Sequence, residues 1–235
     1  MMARHFSHIL MFASCVAMLG CDQLPGKPKP GPEVPSPDAI VDFPTLYRQN
    51  CSACHGADGM NGPSYSLANP TYQALVDEQV LHQAVANGLS GTLMPAFAIS
   101  AGGSLTDQQV DVLVHGMRAA WFKENTLNGV NLPPYKAAKT ADAAHGRQVY
   151  STYCASCHGD VGSSGKSKAG SITDPAFLTL ISDQVLRTVV IAGRPDIGQP
   201  DWRNDVPGHE MSDQEVTDVV GWLSSQRPKA PGGTQ

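Results

Sequence analysis

Cys51-Ser52-Ala53-Cys54-His55 decides how the rest of this chain is read, and Cys154-Ala155-Ser156-Cys157-His158 repeats it 103 residues later. On a helix, residues at i and i+3 share one face and i+4 lies beside them. Each stretch therefore points two thiols and one imidazole at the same flat object. A cysteine pair alone has two ordinary readings, a disulfide or redox site and a zinc site. The histidine directly after each pair tells against both. It points instead to a haem, its two vinyl groups captured as thioethers by the cysteines while the histidine ligates the iron.

The composition is compatible with two such sites. A chain of 235 residues is long enough for one large domain or two small ones. Its 41% hydrophobic content suits a packed core, and 23 glycines with 18 prolines announce many turns and linkers. The formal charge of −5 excludes a general nucleic-acid binder, which would carry a basic face. Haem propionates would add to that acidity, so a redox partner with a basic docking surface is the electrostatic complement. Of six cysteines, four belong to the repeated stretches, and the others, Cys15 and Cys21, lie in the N-terminal region. None is left over for a structural disulfide in the mature protein.

Residues 1–20 have a short basic start at Arg4, then an apolar run from Ile9 to Leu19 that ends at Gly20-Cys21. This is the shape of an export signal, short for a membrane span. Met18-Leu19-Gly20-Cys21 resembles a bacterial lipobox, with Met where Leu is usual, which would make Cys21 the lipidated mature N-terminus. An ordinary secretory signal or a retained anchor is the competing reading. Cleavage there would remove Arg4 from 16 basic residues, leaving 15 against 21 acidic ones, a formal −6. Residues 21–40 read as a tether, since Leu24 to Pro37 holds six prolines in fourteen residues. At about 3.1 Å per residue that stretch reaches roughly 40 Å.

Residues 41–121 form a first unit. Phe43 to Gln49 leads as a helix into Cys51, and a Gly-rich loop follows His55. Asn69-Pro70 opens a helical pattern through Leu75, Val76, Val80, Leu81 and Val85, stopped by Asn87-Gly88. Thr106-Asp107-Gln108-Gln109, with Leu105 ahead of it as a staple, opens a last helix carrying Val110, Leu113, Val114, Met117 and Trp121. Residues 122–140 lack periodicity and read as a linker. Residues 141–226 repeat the plan and residues 227–235 are a tail. At an offset of 105, Asn69-Pro70 falls on Asp174-Pro175, Gln79-Val80-Leu81 on Gln184-Val185-Leu186, and Met94-Pro95 on Gln199-Pro200. A duplication of this kind is stronger evidence than either cysteine motif alone.

With these features in place, the chain resembles the class I c-type cytochromes, and more narrowly their two-domain, dihaem, lipid-anchored bacterial members. The resemblance implies an all-α fold of two tandem cytochrome c-like helical domains, each built around a covalent haem c. It makes Cys51, Cys54, Cys154 and Cys157 thioether positions, His55 and His158 the proximal iron ligands, and Met94 the distal ligand of the first haem. A soft thioether favours ferrous iron and raises the reduction potential. Met60 and Met117 read as packing instead.

The second unit departs from the pattern, because Gln199 stands where Met94 does. Three readings stay open. Gln199 faces the iron as a weak ligand or leaves that site open, Met211 supplies the thioether, or His209 makes a bis-histidine site. Met211 aligns with the staple Leu105, which gives it an ordinary packing role as well. His82 falls on Arg187 in the repeat; each reads either as a hydrogen-bond donor to a propionate or as a polar side chain facing water. Trp202, Arg203 and Trp222 are expected around the second haem and Trp121 around the first.

The expected function is electron transfer. The resemblance implies an exported carrier or complex subunit, anchored by lipid to a bacterial membrane on the periplasmic face and passing single electrons between respiratory partners. A second class, a dihaem peroxidase-like enzyme with an open second haem, draws on Gln199, but the second unit has no added region for acid–base machinery.

Overall fold

Helix starts are written into this chain as short side-chain acceptors, and eight of the ten α-helices begin on one in the computed structural model, which describes residues 31–160, 168–204, 206 and 209–228. Asp42 accepts from Thr45 N at 3.0 Å and opens α1, Phe43–Asn50; the one-turn α2, Ser52–His55, follows at once. Asn69 caps α3, Pro70–Leu75, with Pro70 in the first turn, where its missing N–H costs nothing. Asp77 accepts from Val80 N at 2.7 Å and starts α4, Glu78–Asn87. Thr106 and Gln109 form a reciprocal capping box on α5, Asp107–Trp121.

The second half repeats these devices. Asp142 opens α6, Ala143–Tyr153, which runs into α7, Ala155–His158. Asp174 caps α8, Pro175–Thr179, and Ser182 caps α9, Asp183–Ala192. Ser212 and Glu215 make a second capping box on α10, Asp213–Ser225. Among the described residues there is no strand, only two isolated bridges, so the protein is all-α. Among the same residues no helix is long and apolar enough to cross a membrane. The expected signal, the Cys21 lipobox, residues 21–30 of the tether and residues 229–235 of the tail lie outside the described residues.

In each half the first helix packs across the last. α1 lies on α5 and α6 lies on α10, while α4 and α9 pack on α5 and α10 respectively. The crossings are close because glycine sits at them. A Cβ at Gly116 would lie 2.2 Å from the Phe43 ring, and one at Gly146 would lie 2.0 Å from the Asp218 carbonyl oxygen. Leu46, Leu81, Val110, Leu113 and Met117 fill the first core; Val149, Leu186, Ile191, Val216 and Leu223 fill the second.

One expectation changes. The single helix expected from Pro70 to Asn87 is two, because Val76 turns extended and Asp77 caps a new start. The segment after α5 is held by hydrogen bonds from the second half. Buried Arg187 donates to Pro134 O (2.9 and 3.1 Å), Tyr135 O (3.2 Å) and Thr217 Oγ1 (2.9 Å), and pairs with Asp213. A guanidinium so committed fastens the linker to α9 and α10. The tail is anchored at its start, since Arg227 donates to Leu178 O (2.8 Å) and Ile181 O (2.7 Å). The halves also touch, because α3 packs on α9 within one compact unit that begins at Asp38.

Candidate functional site

Each cysteine stretch begins where a helix has just ended. Cys51 closes α1 by donating its N–H to Tyr47 O at 2.8 Å, and Cys154 closes α6 on Tyr150 O at 2.9 Å. Their backbone angles agree within 2°, φ −117 and ψ −36 against φ −115 and ψ −35. One further turn follows: His55 N–H donates to Cys51 O at 3.0 Å, and His158 N–H to Cys154 O at 2.9 Å. Gly56 and Gly159, both at φ 83, then turn the chain away, in a conformation suited to glycine. Tyr47 Oη donates to Gly56 O at 3.0 Å and Tyr150 Oη to Gly159 O at 2.7 Å, so each first helix clamps the exit of its own motif.

The imidazoles are oriented in the same way. His55 Nδ1 lies 2.7 Å from Tyr65 O, and His158 Nδ1 lies 2.8 Å from Gly170 O. A carbonyl there requires a proton on Nδ1 and leaves Nε2 as the lone-pair nitrogen, the tautomer a metal ligand needs. Burial depresses the basicity of His55 and outweighs the Tyr65 hydrogen bond, with the Arg194 charge acting in the same direction as burial. The ring is thus kept neutral.

The two thiols of each pair differ in exposure: Cys51 is buried and Cys154 half-buried, while Cys54 and Cys157 are exposed. Burial pushes Cys51 and Cys154 each up to about 12, with the neighbouring Cys54 and Cys157 adding to it. All four remain free rather than bridged within their pairs. Unbridged thiols and an Nε2 free to bind metal fit haem c at both stretches, and apolar Leu93 (86%) and Ile197 (69%) stand exposed on the loops that carry Met94 and Gln199.

Met94 and Gln199 occupy corresponding turns. Leu89 N–H donates to Met94 O at 3.1 Å, and Arg194 N–H donates to Gln199 O at 3.0 Å. Gly88 and Gly193 pack under these turns; a Cβ on either would come within 2.7 Å of Pro95 or Pro200 backbone. The Gln199 amide donates to Val189 O at 3.3 Å. Met211 is 5% exposed and sends its N–H to Trp202 O at 2.9 Å, much as Leu105 sends its own to Phe97 O at 2.8 Å. It therefore holds the staple position that its alignment with Leu105 suggests. His209 is exposed and hydrogen-bonds Tyr153 Oη through Nδ1.

The aromatic residues split between core and rim. Trp202 is 1% exposed under the Arg203 guanidinium, 5.0 Å from its ring, and Trp222 packs on Tyr150 at 4.7 Å. Trp121 meets Tyr47 edge-on at 5.2 Å. His82 pairs with Asp111 at 3.2 Å, His115 with Glu78 at 2.7 Å and His145 with Asp218 at 2.7 Å. Sequence reasoning missed the cluster joining Tyr65, Asn69, Arg194 and Asp196 across the halves. Its one signal was that Arg194 breaks the repeat by falling on Leu89.

Comparison with known proteins places these features in a lineage. Residues 39–115 and 141–223 match the family model described as cytochrome C oxidase, cbb3-type, subunit III. The cbb3-type cytochrome c oxidase subunit CcoP of Azospirillum sp. (strain B510) is 31% identical over 133 residues, covering 52% of this chain and 40% of that protein. Subunit FixP of Bradyrhizobium diazoefficiens is 25% identical over 170 residues, 67% of this chain and 52% of that one. The chain thus spans about half the length of the curated relatives it matches. A reducing HAO-like protein complex of Kuenenia stuttgartiensis overlays with a TM-score of 0.49 at 16% identity, covering 84% of this chain and 100% of that one. Because both cysteine stretches lie inside the matched residues, which make up more than half of the chain, the protein belongs to the cytochrome c oxidase, cbb3-type, subunit III family, a class I c-type cytochrome family.

Proposed function

We propose that this protein is a dihaem electron-transfer cytochrome, carrying one haem c at Cys51, Cys54 and His55 and another at Cys154, Cys157 and His158. The observation that carries the reading is the duplicated anchoring of the two imidazoles through Nδ1 by backbone carbonyls. When bound, the haem iron would supply reversible one-electron chemistry. The chain's own part is to hold two thiols and a neutral imidazole on one face and to keep the imidazole from rotating. Around the first site Met94 is the distal ligand, and a soft sulfur there raises the potential. Around the second, Gln199 stands at that position without sulfur, while buried Met211 packs as a staple; this second haem lacks a thioether.

The domains are residues 41–121 and 141–226, fastened together by the 122–140 segment. The relatives are named as oxidase subunits, which supports a role as a donor within or beside a membrane oxidase complex. Export, cleavage at Cys21, lipidation and a periplasmic position complete the reading, with residues 21–40 as the tether. The formal −6 of the processed chain suits a basic docking surface on the partner.

Pyridine haemochrome analysis and mass spectrometry of protein matured through an export pathway test the cofactor count, and two haems per chain are expected. The far-red charge-transfer band of thioether-ligated ferric haem should integrate to one haem. A band worth two would restore Met211 as a ligand. Met94→Ala should keep both haems attached, abolish that band and lower the potential of one haem only.

A further inference from the structure

The second half reaches into the surroundings of the first haem's histidine. Tyr65, whose carbonyl holds His55 Nδ1, donates its own hydroxyl to Gly193 O at 2.9 Å. Asn69, four residues on, donates to Ala192 O at 2.7 Å. Arg194 follows directly, its guanidinium 5.8 Å from the centroid of the Tyr65 ring. Asp196 grips that guanidinium through Nε at 3.0 Å and Nη2 at 2.7 Å. Residues 192–194 end α9 and begin the turn that leads to Gln199, so the distal loop of one site abuts the proximal loop of the other.

The pair is polarised across this contact. The Arg194 guanidinium stands beside the Tyr65 ring, and the Tyr65 carbonyl holds His55; at the Tyr65 hydroxyl the Arg194 charge outweighs that of Asp196. Leu89 occupies the place of Arg194 in the first half, so the device exists on one side of the duplication only. A cation near iron favours the ferrous state, which carries one positive charge fewer, and an anion favours the ferric one.

We propose that Arg194 and Asp196 are positioning residues for the first haem, through which the second half sets the first half's reduction potential, with Arg194 raising it and Asp196 holding that rise in check. This rests on haem attachment at Cys51, Cys54 and His55.

The test is a spectroelectrochemical titration of the full dihaem protein, followed at the thioether band that marks the first haem. Arg194→Ala should shift its oxidised-to-reduced ratio at fixed potential about threefold toward oxidised, roughly 30 mV downward at 59 mV per factor of ten for one electron. Asp196→Asn should shift it upward by a similar factor. Arg194→Lys, which keeps the charge without the fork, should restore most of the wild-type value. Simple loosening of the contact would move all three variants the same way; that result, or unmoved midpoints in protein with both haems and an intact band, overturns the proposal. Wild-type protein lacking porphyrin at Cys51 and Cys54 would instead sink the reading it rests on, and the proposal with it.

Discussion

Asp218 shows how much one buried carboxylate organises. It accepts from Asp142 N–H at 2.7 Å, from Gln214 at 2.8 Å and from His145 Nδ1 at 2.7 Å, so it binds the start of α6 to the middle of α10. Burial works to raise its pKa, but the donors from His145, Asp142 and Gln214 together hold it below the ordinary carboxylate value of 3.8. His145 moves the other way, raised above 6.5 chiefly by its hydrogen bond to Asp218. A raised histidine gives stability that is complete below its unfolded pKa and fades as pH climbs through the folded one. A lowered carboxylate gives stability present above its unfolded pKa and lost as pH falls through the folded one. The pair therefore stabilises between the depressed Asp218 value and the raised His145 value. His145→Ala should lower the melting temperature more at about pH 6 than at about pH 9. Equal losses at both pH values would show that the ion pair contributes nothing. The sequence hid this partnership, since 73 residues separate the two and neither belongs to a local motif.

At the scale of elements, the local signals were legible and the tertiary ones were not. Asn69, Asp174, Thr106 and Ser212 announce helix starts because a cap is a contact with the chain's own next turn. The cysteine stretches were legible for the same reason. The break at Val76 was not, because the apolar spacing runs on through it and Asp77 caps only once the chain has turned. The helix crossings were also hidden, although the repeat contains a clue. At the offset of the cysteine stretches, Phe43 falls on Gly146; at 106, the offset of the two capping boxes, Gly116 falls on Trp222. The first half puts bulk on its first helix and glycine (Gly116) on its last, whereas the second half puts glycine on α6 and the large indole on α10. Each crossing is filled, by opposite choices. Gly146→Ala would place a methyl group against the Asp218 carbonyl and the Trp222 Cβ. Overpacking of that kind costs about 1–3 kcal/mol, read as a lower denaturation midpoint at unchanged denaturant slope. A neutral result would mean that α6 and α10 separate without cost.

At the scale of the molecule, the question is what turns two duplicated halves into one body. Asn69 answers part of it by acting in two directions. Its carbonyl oxygen accepts from Thr71 N at 2.9 Å and Tyr72 N at 3.3 Å, capping α3, while its amide donates to Ala192 O across the interface. Asp174 does the capping alone at the equivalent place, and a carboxylate suffices there because nothing needs to be donated. Asn69→Asp should therefore keep the cap but remove the donor and turn an anion toward the Ala192 carbonyl. An unpaired buried acceptor of this sort costs about 1–3 kcal/mol, and here the loss falls on the contact between halves rather than within either one. Calorimetry of the dihaem protein should show the van't Hoff enthalpy dropping below the calorimetric enthalpy as the halves begin to melt separately. Asn69→Ser, which retains an oxygen for the cap and a hydroxyl for donation, should recover part of the cooperativity. If Asn69→Asp melted in one unshifted transition, Asn69 would be a cap only, and the coupling of the two halves would have to rest on Tyr65 and on the packing of α3 against α9.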